Sequence, residues 1–261
     1  MTTDSPSGEP LRVATYNVHG CVGIDGKRSE ERIADVIASL NVDIVGLQEL
    51  DLNRRRSAGR DQAGWIAERL GWERHFHPAM QTANEAYGDA ILSRYPMNLR
   101  QAAVLPCRPS AICPETRGAL RVEILTPLGL VHVVNTHFGL GRRERLAQAR
   151  LLGGSEWIGR VPEDEPLILL GDFNSSPGSA AYRELTLRLA DVRSFTRWQP
   201  LRTYPTRFPV LAVDHIFINP LLYAAGVHVE RGGQVRLASD HYPLVASLHR
   251  VEGVINTIQQ I

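Results

Sequence analysis

Six apolar runs in this chain stop at the same kind of boundary. "RVATYNVHG" runs into Asn17 and His19, "VDIVGLQEL" into Gln48 and Glu49, "LVHVVNTHFG" into Asn135 and His137, and "PLILLGDFN" into Asp172 and Asn174. Late in the chain the order reverses: Asp214 and His215 open "VDHIFI", and Asp240 and His241 stand directly before "YPLVASL". Short apolar runs bounded by polar residues and glycine read as buried strands. Ionisable groups are costly to bury, so their repeated placement at strand mouths constrains the fold more than any single motif. In layered α/β folds, strand ends on one sheet edge converge on a cleft. If these six ends share an edge, Asn17, Glu49, Asp172, Asp214 and Asp240 gather in a small volume.

Such a gathering needs a countercharge. Two carboxylates about 4 Å apart repel by roughly 4 kcal/mol at an effective dielectric of 20. A hard divalent cation suits an all-oxygen donor set, which points to Mg²⁺ or Mn²⁺. His137 and His241 then offer donors to a substrate anion. The formal net charge is +1, so any polyanion binding has to be local.

Strands and helices alternate along the chain. "SEERIADVIASL" places Ile33, Val36, Ile37 and Leu40 at helical spacing behind Ser29 as N-cap, and Gly71 is expected to stop a helix over "DQAGWIAERL". "DAILSRYP" reads as a strand, 100–116 as a long loop, and "GALRVEIL" with "LVHVVNTHFG" as a hairpin turning near Pro127–Gly129. Helices are expected over "RRERLAQARLLGGSEWIG" and within 177–190, and a loop rich in Pro and Arg over 194–212. No linker divides the chain. One α/β domain over 11–250 is expected, with a disordered arm at 1–10 and a tail at 251–261, built from mixed, largely antiparallel sheets covered by helices.

Read in order, "TYNVHG", "LQE", "GDAILS", "NTHFG", "GDFN", "VDHIFI" and "SDHYPL" resemble the endonuclease/exonuclease/phosphatase superfamily over about residues 11–249. This group includes pancreatic-type deoxyribonucleases, abasic-site endonucleases, neutral sphingomyelinases and inositol polyphosphate 5-phosphatases. The resemblance implies a four-layer α/β/β/α sandwich with two packed mixed sheets. It implies metal contacts at Asn17, Glu49 and Asp240, and a role for Asp172 in positioning or deprotonating the attacking water. Asn174 is implied in a hydrogen bond to the phosphate or that water, and His241 in contact with the scissile phosphate and acid–base work. Asp214 is similar to the residue that orients this histidine, and His137 to a second phosphate histidine. Where abasic-site endonucleases carry an Asp two residues after the first Asn, this chain has His19, which argues against a second metal. Tyr87 receives no role.

"LNRRRSAGR" is either a solvated basic face or an anion-binding rim, and "RRS…DQ" and "RGAL" resemble blocks of bacterial members, which makes Arg56 and Arg117 candidate substrate contacts. The basic start of "GRRERLAQARLL" reads as an exposed, charge-paired helix, and Trp198, Tyr204, Arg207 and Phe208 either stack on bases or pack down their loop. The three cysteines, Cys21, Cys107 and Cys113, read as thiols in a reducing compartment, with a Cys107–Cys113 bridge as the alternative. With no signal peptide or long apolar run, a cytoplasmic monomer without stable membrane insertion is expected. The expected activity is metal-dependent hydrolysis of a phosphodiester, in nucleic acid or a phospholipid head group, by direct attack of water. The alternatives are a phosphomonoesterase acting on phosphosugars or inositol phosphates, and a non-catalytic binding module on the same fold.

Overall fold

The computed structural model describes residues 8–107, 115–196 and 201–251. In chain order its elements are β1 (Leu11–Asn17), α1 (Glu30–Leu40), β2 (Ile44–Leu52), α2 (Gln62–Leu70), β3 (Glu73–Thr82), β4 (Glu85–Ser93), β5 (Met97–Val104), β6 (Gly118–Thr126), β7 (Gly129–His137), α3 (Arg142–Gly153), β8 (Leu167–Asp172), α4 (Ala180–Leu185), β9 (Ala190–Asp191), β10 (Asp214–Ile218), β11 (Leu222–Val229), α5 (Val235–Ala238) and β12 (Leu244–Arg250). One sheet has the order β11-β12-β1-β2-β4-β3 and the other β5-β6-β7-β8-β10-β9. Each sheet contains one parallel pair, β1 with β2 and β7 with β8, and is otherwise antiparallel.

The layers follow from which faces are apolar. Alternate residues of both sheets, among them Val13, Ile44, Ile91, Val122, Val133, Ile168, Ile216 and Ala246, form the central core. On the outer face of the first sheet, Ile33, Val36, Ile37 and Leu40 of α1 and Ile66 of α2 pack over Tyr16, Val45 and Leu47. On the far side Ala149 and Leu152 of α3 and Ala181 and Leu185 of α4 cover Val134, Leu169 and Phe217. The result is the expected four-layer α/β/β/α sandwich with two packed mixed sheets.

The capping signals act as read. Ser29 accepts from the Arg32 N–H, and Gly71 ends α2 at φ 69°. Thr126 and Gly129 face each other across the β6–β7 turn. Other boundaries differ. Met97–Val104 is a strand rather than part of a loop, Glu73–Thr82 and Leu222–Val229 are strands, and α3 stops at Gly153 because Gly154 turns the chain away. The helix within 177–190 shrinks to Ala180–Leu185, since Ala190 already pairs with Ile218. Trp198, Cys113, the arm up to residue 7 and the tail from residue 252 lie outside the described residues. No helix among the described residues is long and apolar enough to cross a membrane.

Between the sheets, just beneath the strand ends, lies a polar clamp. Gln48 Nε2 donates to Asn135 Oδ1 (2.7 Å) and to Thr15 Oγ1 (3.1 Å), while Asn135 Nδ2 donates to the carbonyls of Leu47 and Ala90. The approach is close because Gly46 faces it: a Cβ there would fall 2.0 Å from Leu170 Cδ1 and 2.8 Å from Asn135 Oδ1. The clamp fixes the register of two sheets whose ends build the site.

Candidate active site

Register brings the polar strand ends together. His137 pairs with Asp172 across β7–β8, Asp214 pairs with Asp172 across β10–β8, and Asn17 pairs with Gln48 across β1–β2. Asp172 is therefore flanked on both sides within its own sheet. The opposite sheet reaches it through Asn17, whose Nδ2 donates to Asp172 Oδ2 (3.0 Å) and to Glu49 Oε1 (2.9 Å). Asn17 Oδ1 is occupied by the His19 N–H, so this amide acts as a bridge between two carboxylates.

Local backbone aims the key groups. Between β2 and β4 the register shifts after Leu47, so Gln48 and Glu49 bulge opposite Asp89, and Glu49 adopts φ 66°. A bulge of this kind re-aims a side chain at a sheet rim, and an αL conformation on a non-glycine residue stores strain that the surroundings must hold. Asn174 also sits at positive φ, 47°, where its N–H donates to Asp172 Oδ1 (2.9 Å) and its Nδ2 donates to the Phe138 carbonyl (2.8 Å). Gly171 permits the close strand approach: a Cβ there would meet the Thr136 carbonyl oxygen at 2.0 Å. The Ser239 hydroxyl donates to the Asn17 carbonyl and accepts the His241 N–H, which ties the start of β12 to the end of β1.

The two histidines occupy opposite electrostatic settings. His241 Nδ1 lies 2.9 Å from Asp214 Oδ2, and its Nε2 faces Asp172 Oδ2 at 3.7 Å. Burial opposes the charged imidazole, but the Asp214, Asp172 and Asp240 carboxylates outweigh it and raise the pKa to about 10. His137 is buried with Arg117 Nη1 3.3 Å from its Nδ1, while its Nε2 lies 3.1 Å from Asn174 Nδ2 and 3.5 Å from Asp172 Oδ2. Burial, then Arg117 and His241, hold it well below the ordinary histidine range, so it is neutral. The Asp172 carboxyl is raised by burial and by Asp214, against the opposing pull of His241.

The site's carboxylate oxygens suit a hard cation. Asp172, Asp214 and His241 have ligand atoms within 4.8 Å of one another, but an imidazole charged by its Asp214 partner does not ligate a cation. Glu49, held beside Asp172 through Asn17, and the half-buried Asp240 supply oxygen without that conflict. Asp240 is 3.7 Å from His19 Nδ1.

Both candidate substrate arginines are already engaged. Arg56 makes a two-pronged contact with the buried Asp51, through Nε (2.8 Å) and Nη2 (2.7 Å), and lies over the Tyr87 ring. Arg117 is buried, with Nη1 on His137 and Nη2 3.1 Å from Glu115 Oε2. One buried group escaped the reading of the sequence, and Tyr204, read there as a stacking or packing residue of its loop, lies against a site histidine. Asp89, inside the apolar run of "GDAILS", is buried behind Glu49, and burial, against Arg117, pushes its carboxyl up to about 8. A charged residue in a strand interior was the available signal. Tyr204 places its ring 4.6 Å from that of His241, from a loop whose sequence carries no period.

The sequence profile of the endonuclease/exonuclease/phosphatase family matches residues 14–241, and the chain belongs to that family. Its members are metal-dependent hydrolases of phosphoric esters, and so is this chain. YbhP, an uncharacterised protein of Escherichia coli K12, is 27% identical over 251 residues, covering 92% of this chain and 96% of YbhP. Two solved structures share the fold. The mannosyl-6-phosphatase Bt3783 of Bacteroides thetaiotaomicron has a TM-score of 0.71 at 19% identity, covering 92% of this chain and 99% of that one. TDP2 of D. rerio, complexed with a single-strand DNA product, has a TM-score of 0.68 at 19% identity, covering 92% and 98%.

Proposed function

We propose that the chain hydrolyses a phosphodiester by direct attack of water on phosphorus, with Asp172 as the centre of the site. The observation that carries this reading is the convergence on Asp172 of Asn17, His137, His241 and Asp214 from both sheets. Asp172 accepts the proton of the attacking water, and its raised pKa suits a base working near neutrality. Asn174, pinned to Asp172 and Phe138, orients that water or a phosphate oxygen. His241, kept protonated by Asp214, donates from Nε2 to the scissile phosphate or its leaving oxygen. His137 contacts the phosphate as a neutral group. Glu49 and Asp240, with Asn17 beside them, would hold Mg²⁺ or Mn²⁺, which supplies charge neutralisation at the phosphate and favours ionisation of the water.

A diester is favoured over a monoester because a terminal phosphate carries more charge. Arg56 and Arg117, the residues placed to clamp it, are committed to Asp51 and to His137 and Glu115. The monoesterase reading draws support from the phosphatase among the fold neighbours. The presence of Asp172, Asn174 and His241 in the sequence supports catalysis over the non-catalytic reading. The proposal keeps the sequence expectation of a cytoplasmic monomer. Hydrolysis of bis-nitrophenyl phosphate beside mono-nitrophenyl phosphate, plasmid DNA, RNA and phosphatidyl lipids, with Mg²⁺ or Mn²⁺, tests it. Faster turnover of the diester is expected; turnover of the monoester alone would replace the first reading by the second.

A further inference from the structure

The loop over residues 201–211 joins the site to an unusual surface. Its base is fixed: Tyr204 lies against the His241 ring, the Thr206 N–H donates to the Asp240 carbonyl, and the Tyr242 hydroxyl donates to the Thr206 carbonyl. Above that base the chain folds back on itself, with the Val210 and Leu211 N–H groups on the Tyr204 carbonyl. The turn leaves Phe208 74% exposed, with Val210 at 44% and Leu211 at 41%. Leu237, 46% exposed, belongs to the same surface, because Arg207 Nη2 donates to the Ile24 carbonyl and the Ile24 N–H to the Leu237 carbonyl.

Exposed arginines flank these apolar residues in the chain or contact their loop. Arg202, Arg207, Arg231 and Arg236 are exposed, and Arg231 Nη2 donates to the Arg202 carbonyl. Asp25, next to Ile24 in the chain, is engaged by Arg32, and Glu230, next to Arg231, by the N–H groups of Arg231 and Gly232. On the other wall of the site, Leu140 is 52% exposed beside Arg142 and Arg143.

We propose that this face docks peripherally on an anionic phospholipid bilayer, with Phe208, Val210, Leu211 and Leu237 entering the interface and the flanking arginines on the head groups. Apolar side chains flanked by arginine match an anionic interface in both polarity and charge. A nucleic acid matches the charge alone, since single-strand binders need aromatic platforms and three of these four side chains are aliphatic. Docking would bring the mouth of the site to the plane of the phosphates, and it stands independently of the esterase reading.

Flotation of the full chain with vesicles tests this, in chelator so that hydrolysis does not intervene. Binding is expected to vesicles of phosphatidylcholine with about one third phosphatidylglycerol, to weaken with salt, and to be lost on phosphatidylcholine alone. Phe208→Ser should weaken it about tenfold or more, and Arg207→Glu with Arg236→Glu about fivefold per residue or more. Circular dichroism checks that the variants remain folded. No flotation on the anionic vesicles, undiminished flotation of all variants, or binding to a single-stranded oligonucleotide in place of vesicles would overturn the proposal. A wild-type chain that floats yet cleaves no soluble nitrophenyl ester would leave docking standing and remove the esterase reading instead.

Discussion

His241 Nδ1 stands 2.9 Å from Asp214 Oδ2, and Asp214 is itself the register partner of Asp172. In the proposed mechanism one carboxylate orients the acid while its strand neighbour serves as the base. The Asp214, Asp172 and Asp240 charges raise the His241 pKa over the opposing effect of burial. Asp214→Asn removes one of these charges, so the pKa falls and the imidazolium is lost at lower pH. The alkaline limb of the pH–rate profile should move to lower pH, with kcat reduced by about 10²-fold. An unmoved alkaline limb would assign it to another group.

Arg117 and His137 are predicted to be electrostatically linked. Arg117 helps to hold the His137 pKa below its ordinary value, after burial itself. Arg117→Gln should therefore raise it, which nitrogen-15 NMR of the imidazole reads directly. An unchanged titration would mean that burial alone sets the value.

Away from the site, Asp191 anchors β9. Its Oδ2 meets His215 Nδ1 at 2.8 Å, and His215 Nε2 donates to the Ser175 carbonyl. Burial would raise this carboxyl, but His215 and Arg193 hold it down at about 2. A depressed carboxylate contributes stability above its unfolded pKa of about 3.9, and loses it as pH falls through the folded value. Asp191→Asn should cost about 3 kcal/mol at pH 7. Urea unfolding should show that difference shrinking as pH approaches about 2.

The clamp between the sheets makes a separate prediction. Gln48→Ala leaves Asn135 Oδ1 without its donor in a buried setting. A loss of about 2 kcal/mol is expected from urea midpoints. A neutral outcome would mean that water enters and replaces the amide.

How much of this was legible follows from where each strand lies. The eight interior strands, such as β8 with Ile168–Leu170 and β12 with Leu244–Ala246, bury apolar side chains on both faces or nearly so, and they read directly. The four missed strands, β3, β5, β9 and β11, are the four sheet edges. An edge strand buries less, so polar residues such as Glu73, Arg74 and Arg100 break the period. The site was readable at strand ends, where Asp172, Asp214 and His241 stand beside apolar runs. The engagement of Arg56 with Asp51 was not, because it depends on how the turn after β2 folds back on that strand, and that of Arg117 with His137 was not, because it depends on the pairing of β6 with β7. The loop that carries Tyr204 to His241 gave no periodic signal.

Titration of activity with a divalent cation tests the central claim most directly, using bis-nitrophenyl phosphate with the wild-type chain, Glu49→Gln and Asp172→Asn. Activity should vanish in chelator and return with Mg²⁺ or Mn²⁺. Glu49→Gln should need about tenfold more metal or beyond, while Asp172→Asn should lose about 10³-fold in kcat at saturating metal. Hydrolysis that survives chelator, or a Glu49→Gln variant with unaltered metal dependence and rate, would contradict the account.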